Sequence, residues 1–429
     1  MIDTQKYLGT FFKGTKNPSL EAMEYFMNHF EWCCDKLKII HIAGTNGKGS
    51  VLETLTNILI KQGYKVGKFL SPHLIRYNER LSIDNIPISD KDLSDLIEEM
   101  QPLVAKYNIE HNMDVTLFEL ETTMAFVYFY RQNVDFVVLE TGLGGLYDCT
   151  NIITKSIASI ITSIGYDHMH LLGNTLPEIA FQKAGIIKKD SNTVFFKQEA
   201  EVNKVFIDKC EKENNKLCLI EEDSIKNYHF DEDYQFFDYE GKDILVKDIA
   251  VILKGKKQIN NTVLCIEAAN IIRKNGFDIS DEAIKEGIKT VIHHGRMEKL
   301  FDNPLIIYDG AHNSPAMQNF IESINMYYKD LPRTYIISIL KTKDYEKMLE
   351  ILSQDKDAKF IFTSGNDENR YNSKETLYEC FEHFKNGQKT EKMELEDAIE
   401  QCYKNKENCF IIGSFYVYGN VIDKIAEFK

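Results

Sequence analysis

The sequence has little of what disulfide-bonded, nucleic-acid-binding or membrane-spanning proteins need. Its nine cysteines are an odd number and form no C-x-x-C pair, which argues against a disulfide framework or a zinc site and favours reduced thiols. Its 51 basic residues are outnumbered by 66 acidic ones, and this net charge of −15 argues against a general nucleic-acid-binding protein. No apolar run approaches the ~20 residues of a membrane-spanning helix.

The first residues, MIDTQKYLGT, also lack the basic and apolar segments of a secretion signal. Together these absences predict a cytoplasmic protein that binds neither nucleic acid nor membrane. An anionic small ligand stays possible, because a few local lysines, arginines and helix N-termini can outweigh a distant negative field.

What the sequence does contain is an alternation of short apolar runs and amphipathic stretches, which is typical of βαβ units and a parallel sheet. A first helix is predicted to start near Ser50 and to stop near Gly63, and further helices are predicted at 116–130, 176–188 and 260–276. The predicted strands of the first half are residues 37–44, 65–71, 134–140 and 156–165, and the last two are predicted to be buried because they are continuously apolar.

A second α/β series follows a looser region. Residues 191–255 are polar and acidic, and we interpret them as peripheral structure that closes a first domain. The chain is too long for one compact core, so we predict two α/β domains, 1–294 and 295–429. The strands predicted for the second domain are residues 303–310, 333–340, 358–365 and 408–415.

The loop HIAGTNGKGS resembles a phosphate-binding loop, although its spacing departs from the common pattern of Gly, four residues and Gly-Lys-Ser/Thr. It lies between a predicted strand and a predicted helix, where glycine amides and the helix N-terminus can bind an anion. Lys48 would neutralise phosphate oxygens and the Ser50 hydroxyl would bind Mg²⁺. The alternative is a plain glycine turn with a solvated lysine. The predicted nucleotide-binding loop comprises Gly44, Thr45, Asn46, Gly47, Lys48, Gly49 and Ser50.

Other polar residues follow the ends of predicted strands, at the sheet edge where α/β proteins bind ligands. Glu140 is a candidate Mg²⁺ ligand there, because hard cations prefer oxygen. Asp167-His168 and Asp309 occupy similar positions. Taken singly, a strand-end glutamate is as often a cap, a histidine is usually a packing group, and Lys183 on an apolar helix reads as a snorkelling surface lysine.

An ordered set of motifs resembles the family of folylpolyglutamate synthase and dihydrofolate synthase, within the ATP-dependent Mur ligase superfamily. The resemblance extends from about residue 8 to residue 419, and its SPHL…NER segment is typical of the folate branch. The motifs are GTNGKGS, SPHLIRYNERLSID (71–84), LETGLGGLYDCTNII (139–153), SIGYDHMHLLGNTLPEIAFQKAGIIK (163–188), GR (295–296) and DGAHN (309–313).

The resemblance implies an N-terminal P-loop ATPase-type parallel-sheet domain and a smaller C-terminal Rossmann-like domain, with the active site in the cleft between them. It also implies the reaction: ATP phosphorylates a folate carboxylate, and the amino group of L-glutamate attacks the acyl phosphate to give an amide, ADP and phosphate. Positioning and charge neutralisation would supply most of the catalysis. The family suggests a monomer.

Site residues are carried over from the family motif by motif. Ser50 and Glu140 would bind a first Mg²⁺, whereas His168 and a carbamylated Lys183 would serve a second; the nearby His170 is the alternative ligand to His168. The carbamate explains a lysine beside a metal, since an unmodified ammonium would be repelled. The remaining assignments are Asn260 to adenine, Arg296 to ATP phosphates, Asp309 and His312 to the second domain's contribution, and Ser71, His73 and Arg80 to the substrate side.

One departure stands out. Many bacterial members of the family carry Arg-Leu after the GLGG run, whereas this chain has Leu146-Tyr147, which is closer to eukaryotic folylpolyglutamate synthases.

No residue separates folylpolyglutamate synthase from dihydrofolate synthase, alone or combined in one enzyme. Two further readings are a cell-wall Mur ligase, which would lack the SPHL…NER segment, and a nucleotide-binding regulator, which would have lost the phosphate- and metal-handling residues. The preferred interpretation is a ligase that adds L-glutamate to reduced folates.

Overall fold

A computed structural model describes residues 4–11, 19–365 and 367–428, without the side chain of Gln5. The chain divides into two compact units, and the second unit takes in two short stretches that precede residue 293. The first unit comprises Met1–His229, Phe236–Ile252 and Asn260–Ile292, and the second comprises Phe230–Gln235, Leu253–Ile259 and His293–Lys429.

The strands, in chain order, are β1 Ile39–Ala43, β2 Val66–Phe69, β3 Leu81–Ile83, β4 Ile86–Pro87, β5 Phe136–Glu140, β6 Ala158–Ile161, β7 Asn192–Phe196, β8 Lys216–Ile220, β9 Ile225–Phe230, β10 Gln235–Glu240, β11 Leu245–Val251, β12 Glu298–Phe301, β13 Ile306–Asp309, β14 Thr334–Ile337, β15 Lys359–Phe362, β16 Lys389–Lys392 and β17 Cys409–Ile412.

The helices are α1 Thr4–Gly9, α2 Glu21–His29, α3 Lys48–Lys61, α4 Asp90–His111, α5 Leu117–Arg131, α6 Met169–Leu172, α7 Leu176–Ala184, α8 Ala200–Lys212, α9 Lys256–Lys274, α10 Asp281–Lys289, α11 Ser314–Tyr327, α12 Tyr345–Leu352, α13 Lys374–Glu382, α14 Leu395–Asn405 and α15 Tyr418–Ala426. Short 3₁₀ turns cover Cys33–Lys36, Tyr77–Arg80, Cys149–Ile152 and Glu222–Ser224. No helix in these described ranges is long and apolar enough to span a bilayer.

The main sheet of the first unit has the order β4-β3-β2-β5-β1-β6-β7-β8. All neighbours from β2 to β8 are parallel, whereas β3 and β4 add an antiparallel edge. Every residue of β1 and of β5 is buried, as continuous apolar runs predict for strands covered on both faces. The carboxyl ends of the parallel strands therefore share one edge, which is where the candidate ligand-binding residues begin.

The interpretation of residues 191–255 as merely peripheral is wrong in part. Strands β7 and β8 belong to the main parallel sheet, and β9, β10 and β11 form a separate three-stranded sheet. The buried part of β7 is only the short run Thr193–Phe195, and charged stretches on both sides of the strand mask it in the sequence. Strand β10 alternates buried and less buried residues, the period-two pattern of a strand covered on one face.

The sheet of the second unit has the order β12-β13-β17-β14-β15-β16 and is parallel except for β12. Apolar side chains of β13, β14, β15 and β17 form its core with helices α11, α12 and α13. The four strands predicted for this region correspond to β13, β14, β15 and β17. The α/β fold class, with two parallel-sheet units and a smaller Rossmann-like second one, is confirmed.

Candidate active site

The loop between β1 and α3 needs glycine at two positions. Gly44 and Gly47 have φ angles of +153° and +95°, in the region that L side chains rarely adopt. A Cβ on Gly44 would lie 1.7 Å from Oγ1 of Thr162, and one on Gly47 would lie 2.6 Å from Oδ1 of Asn261. The two glycines therefore allow both a tight turn and a close approach by neighbouring side chains.

The middle of the loop is fixed to the segment that follows β6. The amide of Thr45 donates to the carbonyl of Ser163 at 2.8 Å, and the Thr45 hydroxyl donates to the carbonyl of Gly165 at 3.1 Å. The Ser163 hydroxyl in turn donates to the carbonyl of Asn46 at 3.1 Å. The loop is thus held from one side, at the N-terminus of a 14-residue helix whose dipole favours an anion.

Lys48, the first residue of α3, lies across its own loop. Its ammonium group is 3.3 Å from the carbonyl oxygen of Gly44 and 3.4 Å from that of Thr45. It is also 3.8 Å from Oε1 of Glu140, the last residue of β5. Glu140 is buried, as is Ser50 in the first turn of α3. A cation, a carboxylate and a hydroxyl are therefore presented around the loop.

Lys183 is a buried lysine on α7, not the surface lysine that its helix would suggest from sequence alone. Its side chain donates a 2.8 Å hydrogen bond to the carbonyl of Gly44. Burial, helped by the nearby charge of Lys48, lowers the pKa of Lys183 to about 7, against the opposing effects of Asp167 and Asp148. Near neutral pH this amine is therefore partly unprotonated and can act as a nucleophile.

The GLGG run after β5 lets the chain pass close to α7. A Cβ on Gly145 would lie 2.8 Å from the carbonyl oxygen of Gln182 and 3.1 Å from Cα of Lys183. The amide of Leu146 donates to the same Gln182 carbonyl at 2.7 Å. Backbone contacts thus fix the helix that carries Lys183, and at position 146 the backbone amide makes this contact.

His168 lies at the exposed edge of this region. Its backbone has φ +51°, its amide donates to Oδ1 of Asp167 at 2.9 Å, and its ring Nε2 is 3.8 Å from the same oxygen. The ring of His170 lies 6.3 Å away, centre to centre. Within the described ranges no three His, Cys, Asp or Glu side chains form a metal-binding group.

The SPHLIRYNER segment is organised by its own polar residues. The Glu79 carboxylate accepts the amides of Leu74 at 2.8 Å and Arg76 at 2.7 Å, which ties the segment into a compact loop. Ser71 begins the segment and is joined to Pro72 by a cis peptide bond. Glu79 was not among the predicted site residues. Its place in the NER triplet was the sequence signal that could have identified it.

Two of the predicted substrate residues contact each other directly. Arg80 donates from Nε to Nδ1 of His73 at 2.9 Å. Its Nη1 donates to Oε2 of Glu121, a buried carboxylate on α5. Sequence reasoning missed Glu121, because nothing in the helix pattern predicts that this glutamate faces inward.

The QINN segment contains two adjacent asparagines in α9. Asn260 is half-buried, whereas Asn261 is buried with its side-chain oxygen against Gly47 of the loop. Sequence patterning does not distinguish these two neighbours, and the family resemblance points only to Asn260. The structure adds Asn261 as a residue that packs on the phosphate-type loop.

A buried polar chain behind the loop was also missed. His41 on β1 bonds through Nε2 to the Thr150 hydroxyl at 2.8 Å, and that hydroxyl donates to Asp148 at 2.5 Å. Asp148 also accepts the amide of Leu143 at 2.7 Å. Burial raises the pKa of Asp148 and lowers the pKa of His41 well below its usual value. The signal was the DCTN that follows the glycine run.

The second unit brings its predicted residues together at the carboxyl end of β13. Asp309 is buried and accepts the amides of Met297 at 2.9 Å and Ala311 at 2.8 Å. Burial raises the pKa of Asp309, while the nearby Arg296 opposes that rise. Asp309 therefore fixes the backbone on both sides of itself.

The other two predicted residues of this unit share an aromatic neighbour. The Arg296 guanidinium lies 4.5 Å from the centre of the Phe415 ring, and the His312 ring lies 5.4 Å from the same ring. Nδ1 of His312 is 2.8 Å from the carbonyl oxygen of Gly310. A guanidinium, an imidazole and a backbone-bound carboxylate are thus grouped at one sheet edge.

The chain is similar to known proteins over most of its length. Residues 42–269 match the model of the Mur ligase middle domain. The dihydrofolate synthase/folylpolyglutamate synthase of Bacillus subtilis (strain 168) is 32% identical, with 98% of this chain and 97% of that protein covered. The folylpolyglutamate synthase of Lacticaseibacillus casei is 33% identical over 74% of each chain.

A solved structure extends the likeness to three dimensions. Mycobacterium tuberculosis folylpolyglutamate synthase, complexed with ADP and AMPPCP, superposes with a TM-score of 0.89 at 26% identity, covering 98% of this chain and 97% of that one. The family resemblance carried by the motifs is confirmed. The chain belongs to the Mur ligase family, and within it to the ligases of the folylpolyglutamate synthase and dihydrofolate synthase type.

Proposed function

We propose that the protein uses ATP to add L-glutamate to the γ-carboxylate of reduced folates. A carboxylate oxygen of the folate attacks the γ-phosphorus of ATP, and ADP leaves. The amino group of glutamate then attacks the acyl carbon, the C–O bond to phosphate breaks, and an amide and phosphate result. The observation that carries the proposal is that Lys48 and Lys183 both reach the Gly44 carbonyl, with Glu140 3.8 Å from Lys48, in a chain of this ligase family.

The loop 44–50 is the proposed ATP phosphate site. Its glycine conformations, its anchoring at Thr45 and its place at the N-terminus of α3 support this role. Lys48 is proposed to neutralise charge that develops on the transferred phosphoryl group. The bound nucleotides of the Mycobacterium tuberculosis relative support ATP as the cosubstrate.

Magnesium is the proposed metal. Ser50 and Glu140 would bind a first ion, and His168 and Lys183 would serve a second one. Oxygen donors suit Mg²⁺, which usually keeps water and phosphate oxygens among its ligands and so needs few protein groups. A Lys183 pKa of about 7 leaves a neutral amine that can react with carbon dioxide, and the resulting carbamate would supply a carboxylate-like ligand. The bound ions would neutralise charge on the phosphates.

The other predicted residues keep their proposed roles. Ser71, His73 and Arg80 would bind the folate substrate, and Asn260 would bind adenine. Within the proposed ligase domain 295–429, Arg296 and Asp309 would serve ATP and His312 the chemical step; residues 1–294 would form the ATP-binding domain. We also propose a monomeric, cytoplasmic enzyme, the first point being checkable by light scattering.

Dihydrofolate synthase activity is the second candidate, alone or in the same enzyme. The Bacillus subtilis relative carries both activities in its name, which favours a bifunctional enzyme over a pure dihydrofolate synthase. Purified protein should be assayed with ATP, Mg²⁺ and labelled glutamate, with tetrahydrofolate in one reaction and dihydropteroate in the other. Incorporation with tetrahydrofolate supports the main proposal, incorporation with dihydropteroate alone supports the alternative, and incorporation with neither contradicts both.

A further inference from the structure

Glu121 is a buried carboxylate on α5, a helix whose buried residues are mostly apolar. It lies on α5 with no exposed surface, and its neighbours Leu120, Met124 and Ala125 belong to the apolar core. A buried carboxylate is costly unless a cation and hydrogen bonds compensate it. The compensating cation is Arg80, whose side chain keeps only 14% of its exposure.

Arg80 is held at two corners of its guanidinium group. Nη1 donates to Oε2 of Glu121, and Nε donates to Nδ1 of His73 at 2.9 Å. An arginine that would otherwise sample many rotamers is therefore kept in one orientation by a fully buried anchor. Within the described residues, these two bonds use Nε and Nη1. The Nη2 amino group therefore remains to bind a ligand.

The same contact defines the protonation of His73. Arginine can only donate hydrogen bonds, so Nδ1 of His73 must accept with its lone pair. The neutral ring therefore carries its proton on Nε2. Glu121 thus anchors Arg80, and Arg80 fixes both the place and the tautomer of His73.

Fold stability alone is a poor explanation for the linked contacts of Glu121, Arg80 and His73. Buried ion pairs stabilise a fold little better than apolar side chains of similar volume. A pre-oriented guanidinium, by contrast, loses less conformational entropy when it binds an anion. Arg80, which contacts Glu121, and His73, which contacts Arg80, both lie in the segment 71–84, and this segment carries all three of the residues proposed to bind folate.

We propose that Glu121 is a positioning residue for the folate substrate, which acts by holding Arg80 and, through it, His73 ready for an anionic or carbonyl oxygen of the ligand. The inference rests on the proposed function, because that function assigns Arg80 and His73 to the substrate. Because Glu121 has no exposed surface, the proposal gives it no contact of its own with substrate or ATP.

The test is a double-mutant cycle read by steady-state kinetics at saturating ATP and glutamate. Glu121→Leu should raise KM for tetrahydrofolate about tenfold while kcat and KM for ATP change less than about twofold. In an Arg80→Leu background, adding Glu121→Leu should change KM less than about twofold, because the proposal has Glu121 act on the substrate through Arg80. Glu121→Gln, which keeps an oxygen acceptor, should stay within about threefold of wild type.

Controls separate the possible failures. Glu99→Leu removes another glutamate–arginine pair, with Arg131 of α5, and should leave KM for tetrahydrofolate unchanged. Wild-type KM in Glu121→Leu, or a further large rise in the Arg80→Leu background, overturns the inference while wild-type turnover still supports the proposed function. The double variant leaves no buried charge unpaired. If Glu121→Leu alone does not fold, the comparison of Arg80→Leu with the double variant therefore still tests the inference. A wild-type enzyme inactive with every folate would overturn the proposed function itself.

Discussion

The side chain of Lys183 donates a 2.8 Å hydrogen bond to the carbonyl oxygen of Gly44. A buried amine of α7 is thereby joined to the first glycine of the phosphate-type loop. The contact explains how Lys183, which lies 139 positions after Gly44 in the chain, becomes part of the site. It also places that amine near the positive charge of Lys48, which helps to lower the pKa of Lys183. This lowered pKa has consequences for stability and for chemistry.

Stability should depend on pH through Lys183. Burial lowers its pKa to about 7, whereas an unfolded lysine titrates near pH ~10.4. Between these values the unfolded chain binds more protons than the folded one, so the free energy of unfolding rises with pH, by at most about 1.4 kcal/mol per pH unit. Wild type and Lys183→Met should be compared by urea denaturation in CO₂-free buffer. From pH 7 upward, the free energy of unfolding of wild type should increase relative to that of Lys183→Met. A difference independent of pH would contradict the pKa assignment.

The proposed carbamate gives a separate prediction. Lys183→Ala should lose most turnover, and short carboxylic acids such as acetate should restore part of it by supplying the missing carboxylate. Lys188→Ala is the matched control, since burial also lowers the pKa of Lys188, to about 8, but its side chain bonds to the carbonyl of Asn151. Added acetate should leave the rate of that variant unchanged. Failure of acetate to rescue Lys183→Ala would count against the carbamate.

The sequence predicted most of the fold because its strands are short continuous apolar runs. Strands β1 and β5 follow directly from IIHIA and FVVLE, each of which is buried along its whole length. Strand β7 did not, because its apolar run is short and lies in charged surroundings. Periodicity reports burial on one face and carries no information on which buried element is a neighbour in a sheet.

Site residues were predictable where a motif fixed them and missed where only three-dimensional contact reveals them. The loop 44–50 could be read directly, since its glycines have a local conformational reason. Glu121 and Asn261 could not, because their importance depends on partners 41 and 214 residues away in the chain. Lys183 was named only through the family, since its helix pattern suggested a surface lysine.

Lys48 should be needed for turnover but not for folding. Lys48→Ala removes the cation proposed to neutralise the transferred phosphoryl group, and kcat should fall by about a thousandfold or more. Its melting temperature should stay close to wild type, because the side chain bonds only to loop carbonyls and lies 3.8 Å from Glu140. Lys61→Ala, an exposed lysine on the same helix, should keep normal kcat. Near-normal activity of Lys48→Ala would defeat the phosphate assignment.

A pair of glycines separates backbone strain from damage to the site. Gly47 and Gly63 have φ angles of +95° and +97°, so alanine should cost about 1 kcal/mol of stability at either position. Only at Gly47 would the new Cβ meet a neighbour, Oδ1 of Asn261 at 2.6 Å, whereas nothing lies within 4 Å at Gly63. Gly47→Ala should therefore raise KM for ATP and lower kcat, and Gly63→Ala should change only the melting temperature. Equal kinetics in the two variants would show that the Asn261 contact is irrelevant to ATP.

The central claim is that ATP activates the folate carboxylate as an acyl phosphate. The most direct test uses tetrahydrofolate with ¹⁸O in its γ-carboxylate, together with ATP, Mg²⁺ and glutamate, and mass analysis of the released phosphate. Transfer through an acyl phosphate leaves one carboxylate oxygen on phosphorus, so each phosphate formed with an amide should carry one ¹⁸O. Amide formation with unlabelled phosphate, or with release of AMP and pyrophosphate, would contradict the account.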